Sequence, residues 1–150
     1  LPETPNILDD ISQHAQDFRT LDVTEQQALV KSRIGQGIFR ENLIKIWGSC
    51  SLTGLKTLSL LRASHIKPWR DSTNPERLNP YNGLLLIPNY DVLFDRGLIA
   101  FRENGEIILS GELSKDDQHI FHIENSQHLR IVWPENKEYL EYHRDKVLRL

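Results

Sequence analysis

Three short segments in a fixed order constrain this chain more than anything else in it: Ser64-His65-Ile66-Lys67-Pro68, Asn82-Gly83-Leu84-Leu85-Leu86 and Asp91-Val92-Leu93-Phe94-Asp95-Arg96-Gly97. The stretch Leu55 to Ala63 contains a short strand that delivers the first segment's imidazole at its end. The second segment begins with an amide and runs into an apolar strand, Leu84 to Ile87. The third follows Pro88, which suits the first turn of a helix, and closes on Gly97, which suits the left-handed position just past one. Asp91 and Asp95 then share one face of a short helix spanning Asn89 to Asp95. A single His is the usual general base near neutral pH, and carboxylates on one helix face can meet one hard cation. A base plus a divalent metal is the minimum for activating water against a phosphodiester. Residues 67–81, rich in Pro, Asn and charge, read as one long loop between the strands.

This order resembles the HNH nucleases, whose ββα-metal finger runs strand, loop, strand, helix. In their zinc-containing members the central Asn is followed by N-L-x-x-L-C-x-x-C-H-x-x-x-H. On that frame Asn82 aligns with the Asn, Asp91 and Asp95 with the last two His positions, and Ile87 and Tyr90 with the two cysteines. Upstream, Cys50-Ser51-Leu52-Thr53 keeps one thiol of the family's first C-x-x-C. The chain is therefore similar to a zinc-free branch of predicted restriction endonucleases carrying C-x-x-T-G, A-H-I-x-P, N-G-L-x-L and L-F-D-x-G, all four present in order across residues 50–97.

The resemblance implies His65 as general base and Asn82 as the anchor that holds the long loop and orients that base. It implies Asp91 as ligand of Mg²⁺ or Mn²⁺, both oxygen-seeking cations, with no structural zinc. Asp95 is either a second ligand or an anchor for Arg96 and the following hairpin. Many members have a carboxylate immediately before the base, where this chain has Ser64; which residue completes the metal shell stays open. The implied partner is double-stranded DNA, with Arg62, Lys67, Arg70 and Arg77 around the finger as phosphate contacts. Arg33, Gln36 and Arg40 stand at helical spacing upstream, and Arg33 and Arg40 join that set. Trp69 either stacks on a base or sugar or packs internally, and His143-Arg144 reads as structural.

Charge supports a polyanionic partner once it is divided along the chain. The net charge is −3, but residues 31–102 carry +6, against −5 for residues 1–30 and −4 for residues 103–150. Positive charge thus gathers where the motifs are, as phosphate binding requires. The 150 residues suffice for one domain with a core, and no stretch is long and apolar enough for a membrane span. One cysteine rules out an intramolecular disulfide and is compatible with the cytoplasm, where we expect the protein. Met is absent, even at position 1, which leads us to expect either a fragment of a longer protein, its C-terminal part, or a chain with its start trimmed; a fused recognition domain outside it is left open, as is a homodimer.

The remaining elements follow from pattern. Residues 1–20 read as a linker or lead-in segment and 21–150 as the nuclease domain. Thr24 and Gln27 have the spacing of a capping box, and apolar positions from Ala28 to Trp47 predict helix, ended by Gly48 and broken in two at Gly35 and Gly37. Leu98–Phe101 and Ile107–Leu109 flank Asn104-Gly105 and predict a hairpin. Ser114 starts a helical turn, His128–Trp133 a further strand, and Glu135–Leu148 a closing helix. The expected class is α+β, a ββα-metal finger with an added hairpin and flanking helices. The competing expectation is a catalytically silent DNA-binding or partner-binding module on the same scaffold.

Overall fold

The computed structural model describes residues 19–150, and the linker expected for residues 1–20 lies almost wholly outside them. The chain is α+β. A long helix α1 (Val23–Trp47) leads into strand β1 (Arg62–His65), a short helix α2 (Asn74–Leu78), strand β2 (Gly83–Leu86) and helix α3 (Pro88–Asp95). The hairpin β3 (Ile99–Phe101) and β4 (Ile107–Leu109), helix α4 (Lys115–Ile120) and closing helix α5 (Lys137–Lys146) follow. β1 and β2 are antiparallel, with Arg62 opposite Leu86, Ala63 opposite Leu85, Ser64 opposite Leu84 and His65 opposite Gly83.

The finger is held from both sides because β2 has no polar face. Leu84, Leu85 and Leu86 are all fully buried, so the strand must be covered above and below. Phe39, Leu43 and Trp47 recur every four residues on α1 and form the buried stripe that covers one side. Gly35 and Gly37 do not break α1, contrary to the sequence expectation. Both lie on the exposed half before the stripe, and the helical ladder runs on through them at a cost of about 1 kcal/mol each relative to Ala. The N-cap is Asp22, whose carboxylate accepts from Glu25 N at 2.8 Å, and not Thr24. Gly48 does end the helix, at φ 69°.

Two further expectations need correction. The segment 67–81 is not a plain loop: it holds α2, capped by a reciprocal Thr73–Glu76 box, between two 3₁₀ turns. His128–Trp133 is not a strand but a single bridge, Glu106 to His128, beside the hairpin. Arg130 explains the departure. Its backbone N–H donates to Ser51 O at 2.9 Å and its side chain to Cys50 O, Ser49 O and Ser49 Oγ, which draws the chain off the hairpin towards residues 49–51. Ser51 in turn pairs with Leu85 through its backbone N–H and its hydroxyl, extending the free edge of β2. The single thiol of Cys50 is buried and accepts from Thr53 N, as part of that turn.

The closing helix docks on the C-terminal end of α3. The buried His143 ring stacks on Phe94, with centroids 3.8 Å apart, and its Nε2–H donates to Phe94 O at 2.9 Å. Arg149 N donates to Gly97 O, and a Cβ on Gly97, at φ 72°, would lie 2.0 Å from Val147 O. Only glycine fits there, on grounds of both conformation and space. His143 Nδ1 is buried without a hydrogen-bond partner. A second proton on the ring would find no acceptor, and burial pushes the imidazole pKa down to about 4. The unfolded state, titrating near 6.5, therefore binds the proton first. His143 contributes full stability above pH 6.5 and loses it as pH falls towards 4, by up to about 3 kcal/mol. Denaturant melts between pH 7 and pH 4.5 should show a smaller acid loss in His143→Phe than in the wild type; equal losses would mean that this ring is not the sensor.

Candidate active site

His65 is the last residue of β1, and one bond assigns its tautomer. Nε2 lies 2.8 Å from Arg77 O, and a carbonyl can only accept, so Nε2 carries the proton. In the neutral ring Nδ1 is then the unprotonated nitrogen, a proton acceptor. Burial holds the imidazole below its ordinary pKa, opposed by the bond to Arg77 O. The ring is half-buried, and the Phe39 ring lies parallel against it, with centroids 3.8 Å apart.

Asn82 explains why Arg77 O is in reach. Its side chain is fully buried. Oδ1 accepts from Lys67 N at 2.8 Å, just after the strand, and Nδ2 donates to Glu76 O at 3.1 Å, at the far end of the segment. Ser72 adds hydroxyl bonds to Lys67 O and Pro68 O. The connection is thereby folded back on the finger, and α2 presents the Arg77 carbonyl to the imidazole.

Asp91 lies in the first turn of α3 and faces the preceding residue of β1. Its half-buried carboxylate lies beside Ser64, and burial, together with the charge of Asp95, holds its pKa above the usual carboxylate range, partly offset by Ser64 and by Arg62. Asp95 is exposed one turn further along, close enough for its charge to act on Asp91 and on His143. The acidic face and the imidazole thus meet β1 at consecutive residues, Ser64 and His65.

The basic residues divide into two groups. Arg40 donates to Leu58 O and Leu61 O at 2.8 Å each, tying α1 to the approach of β1. Lys67 pairs with Glu76 at 3.1 Å and lies over the Tyr142 ring. Arg77 donates to Trp69 O and Asn74 Oδ1 and stacks on the Trp69 ring at 3.7 Å. These three are engaged with their own chain. Arg33, Arg62 and Arg70 are exposed, with Arg33 bonded to Gln36 along its helix and Arg70 at 3.9 Å from Asp71. Helical spacing places Arg33 and Arg40 on one face but gives no sign that one of them binds carbonyls. Phe39 and the approach of Asp91 to Ser64 were missed by sequence reasoning; the only signal was that Phe39 falls on the apolar stripe of α1.

Residues 50–102 match the family model described as HNH endonuclease. No curated protein matches the chain.

Proposed function

We propose that this site, in a chain whose residues 50–102 match the HNH endonuclease family model, hydrolyses the phosphodiester bonds of DNA with His65 as its general base. The observation that carries the reading is the fixed tautomer. Nε2–H is committed to Arg77 O, which leaves Nδ1 as the nitrogen that takes a proton. Water gives that proton to Nδ1 as its oxygen attacks phosphorus, the P–O3′ bond breaks, and the 3′ oxygen leaves to be protonated from solvent. Asn82 holds Glu76 O, the carbonyl next to that of Arg77, so its part is to keep the imidazole aimed.

The donor set fits a hydrated Mg²⁺ or Mn²⁺ ion. Asp91 is a carboxylate whose charge is disfavoured by burial and by Asp95, a situation that a cation relieves. Among the described residues no three His, Cys, Asp or Glu side chains gather into a cluster, so Asp91, with the Ser64 hydroxyl beside it, would hold the ion and leave water and substrate phosphate to complete the shell, a usual arrangement for Mg²⁺. Such an ion supplies positive charge for the phosphoryl oxygens and for the leaving 3′ oxygen. We place the DNA phosphates along Arg62 and Arg70, with Arg33 further out, because these basic side chains are exposed. Restriction or another defence against foreign DNA, in the cytoplasm, is the biological setting we favour from the resemblance to predicted restriction endonucleases.

Incubating supercoiled plasmid with the protein tests the reading. Nicked and linear products should appear with Mg²⁺ or Mn²⁺ and disappear with chelator, while the thermal melt stays within a few degrees. DNA binding without cleavage in either metal would instead support a silent binding module, for which Ser64 in place of a carboxylate is the motivating observation.

A further inference from the structure

His65 is constrained in its plane by the bond to Arg77 O, but one in-plane bond leaves a ring free to tilt about that bond. The Phe39 ring removes this freedom. It lies 3.8 Å from the imidazole, only 10° from parallel, and is itself 1% exposed, so it cannot yield. Phe39 sits on α1, outside residues 50–102, and the next residue, Arg40, ties the same helix to Leu58 O and Leu61 O just before β1. The helix therefore grips the strand that carries the base at two places.

Gly83 makes the room. It is paired with His65 across the sheet, and a Cβ there would lie 2.5 Å from Phe39 Cζ and 2.9 Å from Leu43 Cδ1. Its φ of −153° is ordinary extended backbone that any residue adopts, so the requirement is for space and not for conformation. Trp47 Nε1–H donates to Gly83 O at 3.4 Å and ties the same notch to α1.

We propose that Phe39 is a positioning residue for the His65 base, seated in the notch that Gly83 leaves in β2. The inference rests on the hydrolytic reading above and extends the working site to a helix outside the finger. Phe39 touches no reacting atom; it fixes the plane in which Nδ1 points.

Phe39→Leu keeps an apolar side chain in the core without a ring plane. Plasmid cleavage should show kcat lowered about tenfold or more with KM unchanged, because misplacement of a base is felt in the chemical step and not in binding. In proton spectra the His65 ring resonances, shifted upfield by the Phe39 ring in the wild type, should move downfield in the variant. Gly83→Ala should lower kcat from the other side, and should destabilise less in the Phe39→Leu background than alone, since the obstructing ring atoms are gone. An unchanged kcat in folded Phe39→Leu would overturn the proposal and leave Phe39 as core packing. Should that variant not fold, the wild-type spectrum still decides, because His65 protons without an upfield shift would overturn the stacking itself. Absence of cleavage by the wild type in either metal would overturn the hydrolytic reading and the proposal with it, whereas normal cleavage with the variant unaffected overturns the positioning alone.

Discussion

His65→Ala should lower the rate of DNA cleavage by about 10² to 10⁴, the range typical of losing a positioned general base, with DNA binding largely retained. The reason is local. His65 supplies Nδ1, and no other His in the described chain is placed on β1 or on the segment that Asn82 folds over it. The alanine variant also removes the partner of Arg77 O and half of the Phe39 stack, so a loss of activity by misfolding has to be separated from loss of the base. His65→Gln serves that purpose: its amide N–H can keep the bond to Arg77 O, but the side chain takes no proton at neutral pH. Both variants should bind DNA and fail to cleave it at the wild-type rate. A wild-type rate in either one would remove His65 from the mechanism.

The finger was legible in the sequence for definite physical reasons. Leu84 to Leu86 form an uninterrupted apolar run that only a strand covered on both faces accommodates. Pro88 and Gly97 punctuate α3 at the positions where a fixed φ and a left-handed residue are needed. The hairpin followed from Asn104-Gly105, whose glycine adopts φ 91°. The misses have a common cause, which is tertiary contact overriding local preference. Gly35 and Gly37 are helix breakers by propensity, yet α1 runs through them because its later half is anchored by Phe39, Leu43 and Trp47. His128–Trp133 has strand-like residues, yet Arg130 diverts it to the turn at Ser49–Ser51. The same applies at the site. The motifs singled out His65, Asn82 and Asp91 as candidates, but that Arg40 and Arg77 donate to their own chain, or that a phenyl ring from α1 lies on the imidazole, depends on tertiary contacts that local pattern does not carry.

Asp91→Asn should abolish divalent-metal binding at the site and lower cleavage roughly a hundredfold or more, since a bound cation is worth several kcal/mol of charge stabilisation in the transition state. Asn keeps the size of the side chain and an oxygen beside Ser64, so the loss isolates the charge. The folded protein should not suffer. In the wild type Asp91 has its pKa raised by burial and by Asp95; above the unfolded carboxylate's pKa the charged form then weighs against the folded state, and below it the penalty vanishes. At neutral pH the metal-free Asn variant should therefore melt no lower than the metal-free wild type, and any advantage should fade as pH falls towards the ordinary carboxylate range. Asp95, exposed and one turn away, has only part of that environment, and Asp95→Asn should retain measurable metal affinity. Calorimetric titration of Mn²⁺ into both variants separates the two carboxylates. Affinity that is unchanged in Asp91→Asn and lost in Asp95→Asn would move the ligand one helical turn away from Ser64, and the pairing of Asp91 with β1 would then be a structural contact only.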